Sequence, residues 1–195
     1  MLRWLTAAGA LLLVLFVADA RASVSIAVTW EALLRGSSAA AVVTPLDGRS
    51  VWEDGRIYTY TRVRVDRAVA GDLATGDEVW VRTMGGVVGK LGQLVDGEPV
   101  LAPGQTSLLF LHPIAGRPPG ALDVTARGQG QFPLVPATAT APAHVVRSNA
   151  AGAILPPRSQ GTSPGSPLAA DVVHGRVVDD VARDIAAAWS GTHAR

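Results

Sequence analysis

A glycine-rich stretch holding the chain's lysine, four histidines, a serine between glycines, and a strand bearing tyrosines and arginines are the residues here that could do chemistry. The stretch RTMGGVVGKLGQLVDGEP, residues 82–99, suggests a phosphate loop. Such a loop requires Gly-x-x-x-x-Gly-Lys followed by Ser or Thr, because backbone N–H groups wrap the phosphates and the hydroxyl binds magnesium. Met84 stands where the first glycine belongs and Leu91 replaces the hydroxyl. The dinucleotide fingerprint fails as well: with Gly85 or Gly86 in first place, Val87 or Val88 falls at the second glycine position. The stretch therefore reads as backbone geometry, a bulge or a close approach. Gly85-Gly86 turns the chain after a strand over 78–84, Val87 and Val88 pack inward, and Lys90 is exposed and dispensable.

The histidines do not form a metal set. His112 ends an apolar strand, His144 lies in a proline-rich segment, His174 lies near the last helix and His193 in the tail, with no His-Glu-x-x-His. A hydrolase would need a strained nucleophile elbow, Gly-x-Ser-x-Gly between a strand and a helix. Ser163 in GTSPG matches the bare spacing, with Pro164 after the serine and no strand or helix around it. Glu53-Asp54 belongs to a turn, where Asp serves for its backbone habits. No catalytic residue, metal or cofactor is assigned.

What remains is a surface. Over 56–67, Ile57, Thr59, Thr61, Val63 and Val65 share one strand face, and Tyr58, Tyr60, Arg62, Arg64 and Asp66 share the other. In EVWVRTM, Val79 and Val81 oppose Glu78, Trp80 and Arg82. Tyr58, Tyr60, Arg62, Arg64, Trp80 and Arg82 thus form a candidate binding face, since aromatic and arginine side chains are the usual anchors of interfaces. The competing expectation is that a proline-rich strap and a terminal helix cover this face. It is the favoured one, because large exposed aromatic patches are rare on monomers.

The elements that must position these residues are mostly short strands. A helix at VTWEALLRGS precedes them, with Thr29 as cap, Val28 and Leu33 as a hydrophobic staple and Gly36 as stop. Strands follow at 38–46, 50–53, 56–67, 78–84, 106–113, 120–126 and 130–135, the second and third joined by an Asp54-Gly55 hairpin turn. This spacing predicts an antiparallel barrel or sandwich. Without crossover helices, a parallel nucleotide-binding sheet is not expected. Residues 136–166, rich in Pro, Ala and Ser, read as a linker or strap. An amphipathic helix over 168–189 follows, its stripe being Val178, Val181, Ala182, Ile185, Ala188 and Trp189. Asp179 with Arg183, and Arg176 with Asp180, are expected as i,i+4 pairs.

The amino terminus has the layout of a signal peptide. Arg3 supplies the positive start, Leu5–Ala18 is an apolar run shorter than the ~20 residues of a spanning helix, and Ala20-Arg21-Ala22 is a small-x-small cleavage site. Cleavage after Ala22 gives an exported chain, secreted or periplasmic, with no retained membrane anchor. The expected organisation is a signal peptide over 1–22, a β-barrel domain over 23–135, the strap over 136–166, and a C-terminal helix and tail over 167–195. The chain has no cysteine, so no disulfide framework and no lipid-bearing cysteine is available. With 48% hydrophobic and 17% charged residues the composition is globular. Removing residues 1–22 leaves the two charge signs balanced, which offers no general attraction to nucleic acid.

The segments EALLRGSSAAAVVTPLDGRS, RIYTYTRVRVDRAVAG, DEVWVRTMGG, GEPVLAPGQTSLLFLHP and GQGQFPLV occur in an order that resembles a family of uncharacterised exported bacterial proteins. Their layout is also similar to the netrin-like and tissue-inhibitor-of-metalloproteinase families. That resemblance spans roughly residues 30–135 and implies an OB-type barrel; with the patterns above, the expected fold is mainly β, a small antiparallel OB-like barrel with a short N-terminal helix and a C-terminal amphipathic helix. The resemblance also implies an inhibitory terminus: in those inhibitors the first residue of a Cys-x-Cys chelates the protease zinc through its amine and carbonyl. Ser23-Val24-Ser25 stands there in this chain. The expected function is that of an exported, non-enzymatic binding or accessory module whose partner is another exported protein or envelope component. One alternative is an inhibitor or partner of a secreted protease. The other is an enzyme with an unrecognised site, favoured if His112 and several carboxylates converge in one pocket.

Overall fold

The computed structural model describes residues 24–114, 120–156 and 166–194. The signal-peptide reading, the cleavage site at Ala22 and the GTSPG serine lie outside the described residues. Those described are mainly β, with a short helix near the start and helices at the end.

After β1 (Val24–Ile26) comes α1 (Trp30–Arg35), capped by the Thr29 hydroxyl, which accepts from Ala32 N–H. Gly36 ends this helix with φ −79°, so its lack of a side chain serves closeness rather than a left-handed turn. A Cβ there would lie 3.2 Å from both the Ala32 carbonyl oxygen and Thr125 Cγ2.

The two strands expected at 38–46 and 50–53 are one long strand, β2 (Ala39–Glu53), with a register shift between Pro45 and Asp47. The proline lacks a ladder N–H, and the irregularity absorbs it without ending the strand. Asp54 (φ 51°) and Gly55 (φ 75°) then make the expected turn into β3 (Arg56–Gly71). β4 (Glu78–Met84) pairs antiparallel to β3. Next come β5 (Gly86–Val88) and β6 (Leu91–Gln93), a small hairpin. β7 (Ser107–Pro113), β8 (Ala121–Val124), β9 (Gln131–Val135), β10 (His144–Val145) and β11 (Ala153–Leu155) follow.

The main sheet runs β10-β9-β7-β2-β3-β4-β8, with a further pairing of β7 to β8. The pairings from β7 through β2, β3, β4 and β8 back to β7 therefore form a closed circuit of five strands. The sheet is mixed rather than antiparallel as expected: β8 runs antiparallel to β7 and parallel to β4. Strand directions require this, because β7 and β3 both run against β2 while β4 runs with it. In a second, smaller sheet β1 pairs in parallel with β11, so part of the proline-rich strap is strand.

Alternation places two clusters on opposite sides of β2 and β7. Val43, Val63, Val65, Val81, Leu109, Leu111 and Val124 face inward. On the other side, Leu33, Leu34, Val42, Leu108, Phe110 and Phe132 receive the C-terminal helices through Val173, Val181 and Ile185. Phe110 meets Trp30 and Phe132 edge to face, at centroid distances of 5.9 and 6.0 Å. The terminal element is two helices, α2 (Ala169–Val173) and α3 (Val178–Thr192), broken at Gly175 with φ 77°. The expected i,i+4 pairs are replaced: Arg183 meets Asp180, Arg176 meets Asp184, and Asp179 reaches across to Arg67 of β3. At the break Arg176 donates to the Val172 carbonyl at 3.2 Å, which turns it away from Asp180 and toward Asp184.

The glycine-rich stretch turns where expected, with φ 106° at Gly85 and 127° at Gly86. Lys90 at the hairpin turn is exposed. Val87 does not pack inward as expected, being 66% exposed. Gly86 lies against Ser50 and Thr59 so closely that a Cβ would be 2.3 Å from either hydroxyl oxygen. That contact seats the start of the hairpin on the sheet and leaves Val87 alternating outward.

Candidate functional site

The antiparallel register of β2, β3 and β4 brings the six face residues together. Asp47 lies opposite Arg62, and Arg62 opposite Trp80; Arg49 lies opposite Tyr60, and Tyr60 opposite Arg82. Beyond Arg82, the parallel β8 places Asp123 in the next position. Arg62 donates to Asp47 at 3.1 Å and to Glu78 at 3.0 Å, and Arg64 donates to Asp66 at 2.8 Å. The Arg49 guanidinium lies 5.7 Å from the Trp80 ring centroid, and that of Arg82 lies 4.5 Å from the Tyr58 ring.

Of the expected cover by the strap and the terminal helix, the described residues show the helix at one end of this face. Helix α3 packs over the Val42 and Phe110 end of the same side, where Asp179 takes Arg67. Among the described residues, the hydrogen bonds, ion pairs and ring contacts of the six stay within β2, β3, β4 and β8. They are half-buried, except Arg64, which is exposed.

Arg82 is the centre of the arrangement. Its Nε and Nη2 donate to the two oxygens of Asp123 at 3.0 and 2.9 Å, and its Nη1 donates to Glu53 at 3.1 Å. The Tyr60 hydroxyl donates to the other Glu53 oxygen at 2.8 Å. The side chains of Arg82 and Glu53 are only 13% and 16% exposed, so this network is screened less than the outer pairs. The hydrogen bonds to Asp123 raise the Arg82 pKa above its ordinary value and keep it charged. Burial, then the Glu53 carboxylate, raises the Tyr60 pKa and keeps its hydroxyl protonated. At Arg62 the hydrogen bond it donates to Asp47 acts in the same upward direction.

Tyr58 and Arg82 also line a cleft of about 550 Å³. Its other walls include Arg56, Met84, Glu98, His112, Asp123 and Arg127. The wall carrying Arg127 comes from an unusual piece of backbone. Both β8 and β9 pair with one edge of β7: Val124 lies opposite Leu111 and Gln131 opposite Leu109. Where β7 spends Phe110 alone, the facing chain spends residues 125–130, which loop outward. Ala126 (φ 57°) and Arg127 (φ 56°) are both left-handed, a conformation that costs non-glycine residues of order 1–3 kcal/mol and clusters at functional sites. The neck of the loop closes where Gly130 passes Thr125, a Cβ there falling 1.9 Å from the Thr125 oxygen.

Arg127 Nε donates to Glu98, and its Nη2 donates to the Asp96 carbonyl at 2.9 Å. Glu98 also accepts the Met84 N–H at 2.9 Å, which ties this wall to the end of β4. His112 stands 3.1 Å through Nδ1 from the Thr125 hydroxyl. Nε2 is left without a partner among the described residues.

Sequence reasoning found Tyr58 and Arg82 but not Glu98, Asp123 or Arg127. Alternation marked the strand positions, whereas these three depend on a parallel pairing and on loops whose partners are distant in the chain. The glycines at 128 and 130 were the available signal. Among the described residues no cluster of three or more His, Asp or Glu could hold a metal ion, and no helix is long and apolar enough to cross a membrane. No protein-family model matches the chain, and no curated protein or solved structure matches it.

Proposed function

We propose that this chain is an exported, non-enzymatic binding module whose five-strand circuit forms an OB-like barrel and whose ligand sits in the cleft between Tyr58, Arg82 and Arg127. One observation carries the proposal. The Glu53–Arg82–Asp123 network fixes the floor, and a strained six-residue excursion from the strand edge brings Arg127 against it. Strain of this kind persists where surrounding contacts over-determine it, and it suits preorganised binding. Export is supported by the arrangement of Arg3, the apolar run and Ala20-Arg21-Ala22. The partner class that fits an exported chain is another exported protein or an envelope component.

The test is affinity capture from culture supernatant and periplasm with the mature protein and its Tyr58→Ala variant in parallel. A species retained by the first and lost from the second supports the reading. Identical eluates would remove the cleft from it.

A second reading, catalysis at the same cleft, is favoured by the convergence of His112 with Glu98 and Asp123. Nε2 of His112 is the group that would act as base. His112→Gln separates the two: a binding module keeps its captured species, whereas an enzyme loses turnover of it.

A further inference from the structure

We infer that the cleft takes an oxyanion, a carboxylate or a phosphate borne by a small ligand, held by Arg56, Arg127 and the Tyr58 hydroxyl. The inference rests on the binding reading above and specifies its ligand chemistry.

Hydrogen-bond capacity in the cleft is already divided. Arg82 directs Nε, Nη1 and Nη2 at Asp123 and Glu53, and it also lies over the Tyr58 ring. Glu98 and Asp123, the two carboxylates of the lining, are each neutralised by an arginine, so neither repels an incoming anion at full strength. Three groups keep donors to give. Arg56 has a long contact of 3.9 Å to the Met84 sulfur, a weak acceptor, as its polar contact. Arg127 uses Nε and Nη2, which leaves Nη1. The Tyr58 hydroxyl has no hydrogen bond among the described residues.

These donors come from separate elements: Arg56 and Tyr58 from the start of β3, and Arg127 from the strained excursion. Two guanidinium groups and a hydroxyl around one space of about 550 Å³ match the several lone pairs of an oxyanion. An uncharged polyol would leave the Arg56 charge uncompensated.

The experiment is a titration of the ¹⁵N-labelled mature protein, followed by amide shifts, with sodium D-glucuronate, inorganic phosphate and D-glucose. Saturable shifts at Tyr58, Met84 and Ala126 with glucuronate or phosphate, absent with glucose, are expected, and the anion that binds more tightly identifies the source. Arg56→Gln, an exposed position, weakens that binding roughly tenfold or more, as loss of a charge-assisted bond should. Tyr58→Phe weakens it less, and Lys90→Gln, a cation that does not line the cleft, leaves it unchanged. Equal response to glucose, no saturable response to either anion, or equal weakening by Lys90→Gln would overturn the inference. If the anions fail while Tyr58→Ala still abolishes capture, the ligand chemistry is wrong and the binding reading stands.

Discussion

Arg82 and Asp123 face each other on parallel strands, joined by two hydrogen bonds of 3.0 and 2.9 Å, although 41 residues separate them in the chain. The bond pair closes the edge of the sheet where β4 meets β8, and it forms the floor of the cleft. Both side chains are largely withdrawn from water, at 13% and 28% exposure, so each depends on the other for compensation.

Removing the fork should therefore cost more than a surface ion pair. Arg82→Ala is expected to destabilise the protein by about 2 kcal/mol or more, because Asp123 is left half-buried without its fork of two hydrogen bonds. Arg82→Lys recovers part of this at most, since an ammonium cannot make the parallel pair of bonds. Urea unfolding of the two variants measures both. Arg64→Ala, an exposed pair within one strand, should move the midpoint little, by under about 1 kcal/mol.

Tyr60 gives a pH dependence with a definite sign. Its folded pKa lies above the ordinary value near 10, so the folded state holds the proton more tightly than the unfolded state. The corresponding stability is fully present below the unfolded pKa and is lost as pH rises through the folded one. Unfolding free energy measured between about pH 9 and 12 should fall more steeply for the wild type than for Tyr60→Phe. The difference between their phenolate absorbance titrations should place Tyr60 above the ordinary tyrosine range.

The glycines of the 82–99 stretch should separate sharply under substitution. Gly86→Ala puts a Cβ 2.3 Å from two hydroxyl oxygens at φ 127°, and is expected to cost several kcal/mol, above about 3. Gly89 has φ 60° and open space around it, so Gly89→Ala should cost only about 1 kcal/mol. Lys90→Ala should be silent in thermal unfolding.

Gly130 guards the excursion that carries Arg127. A methyl group there meets the Thr125 backbone oxygen at 1.9 Å without any help from φ, and backbone cannot move aside cheaply. Gly130→Ala is expected to destabilise the chain by more than about 3 kcal/mol and to broaden the amide signals of Ala126 and Arg127.

Period-two alternation makes the strands and the inward faces of β3 and β4 legible in the sequence, because one face of each is buried and one is not. The Asp54-Gly55 turn and the Thr29 cap were legible for similarly local reasons. The parallel pairing of β4 with β8 was not, since it depends on where β7 docks, a choice made by both faces of an apolar strand at once. The break before α3 was hidden by the apolar stripe continuing across Gly175. Asp123, Glu98 and Arg127 escaped notice because no local pattern distinguishes an arginine in a loop from one that is folded back against a strand.

The most direct measurement is amide-shift mapping of the ¹⁵N-labelled mature protein as it binds the species recovered by capture. Binding at the cleft predicts perturbations that centre on Tyr58, Met84, Asp123 and Ala126 and vanish in Tyr58→Ala. Perturbations confined to the Val87–Leu91 hairpin, or to α3 and the strap, with the cleft silent, would contradict it.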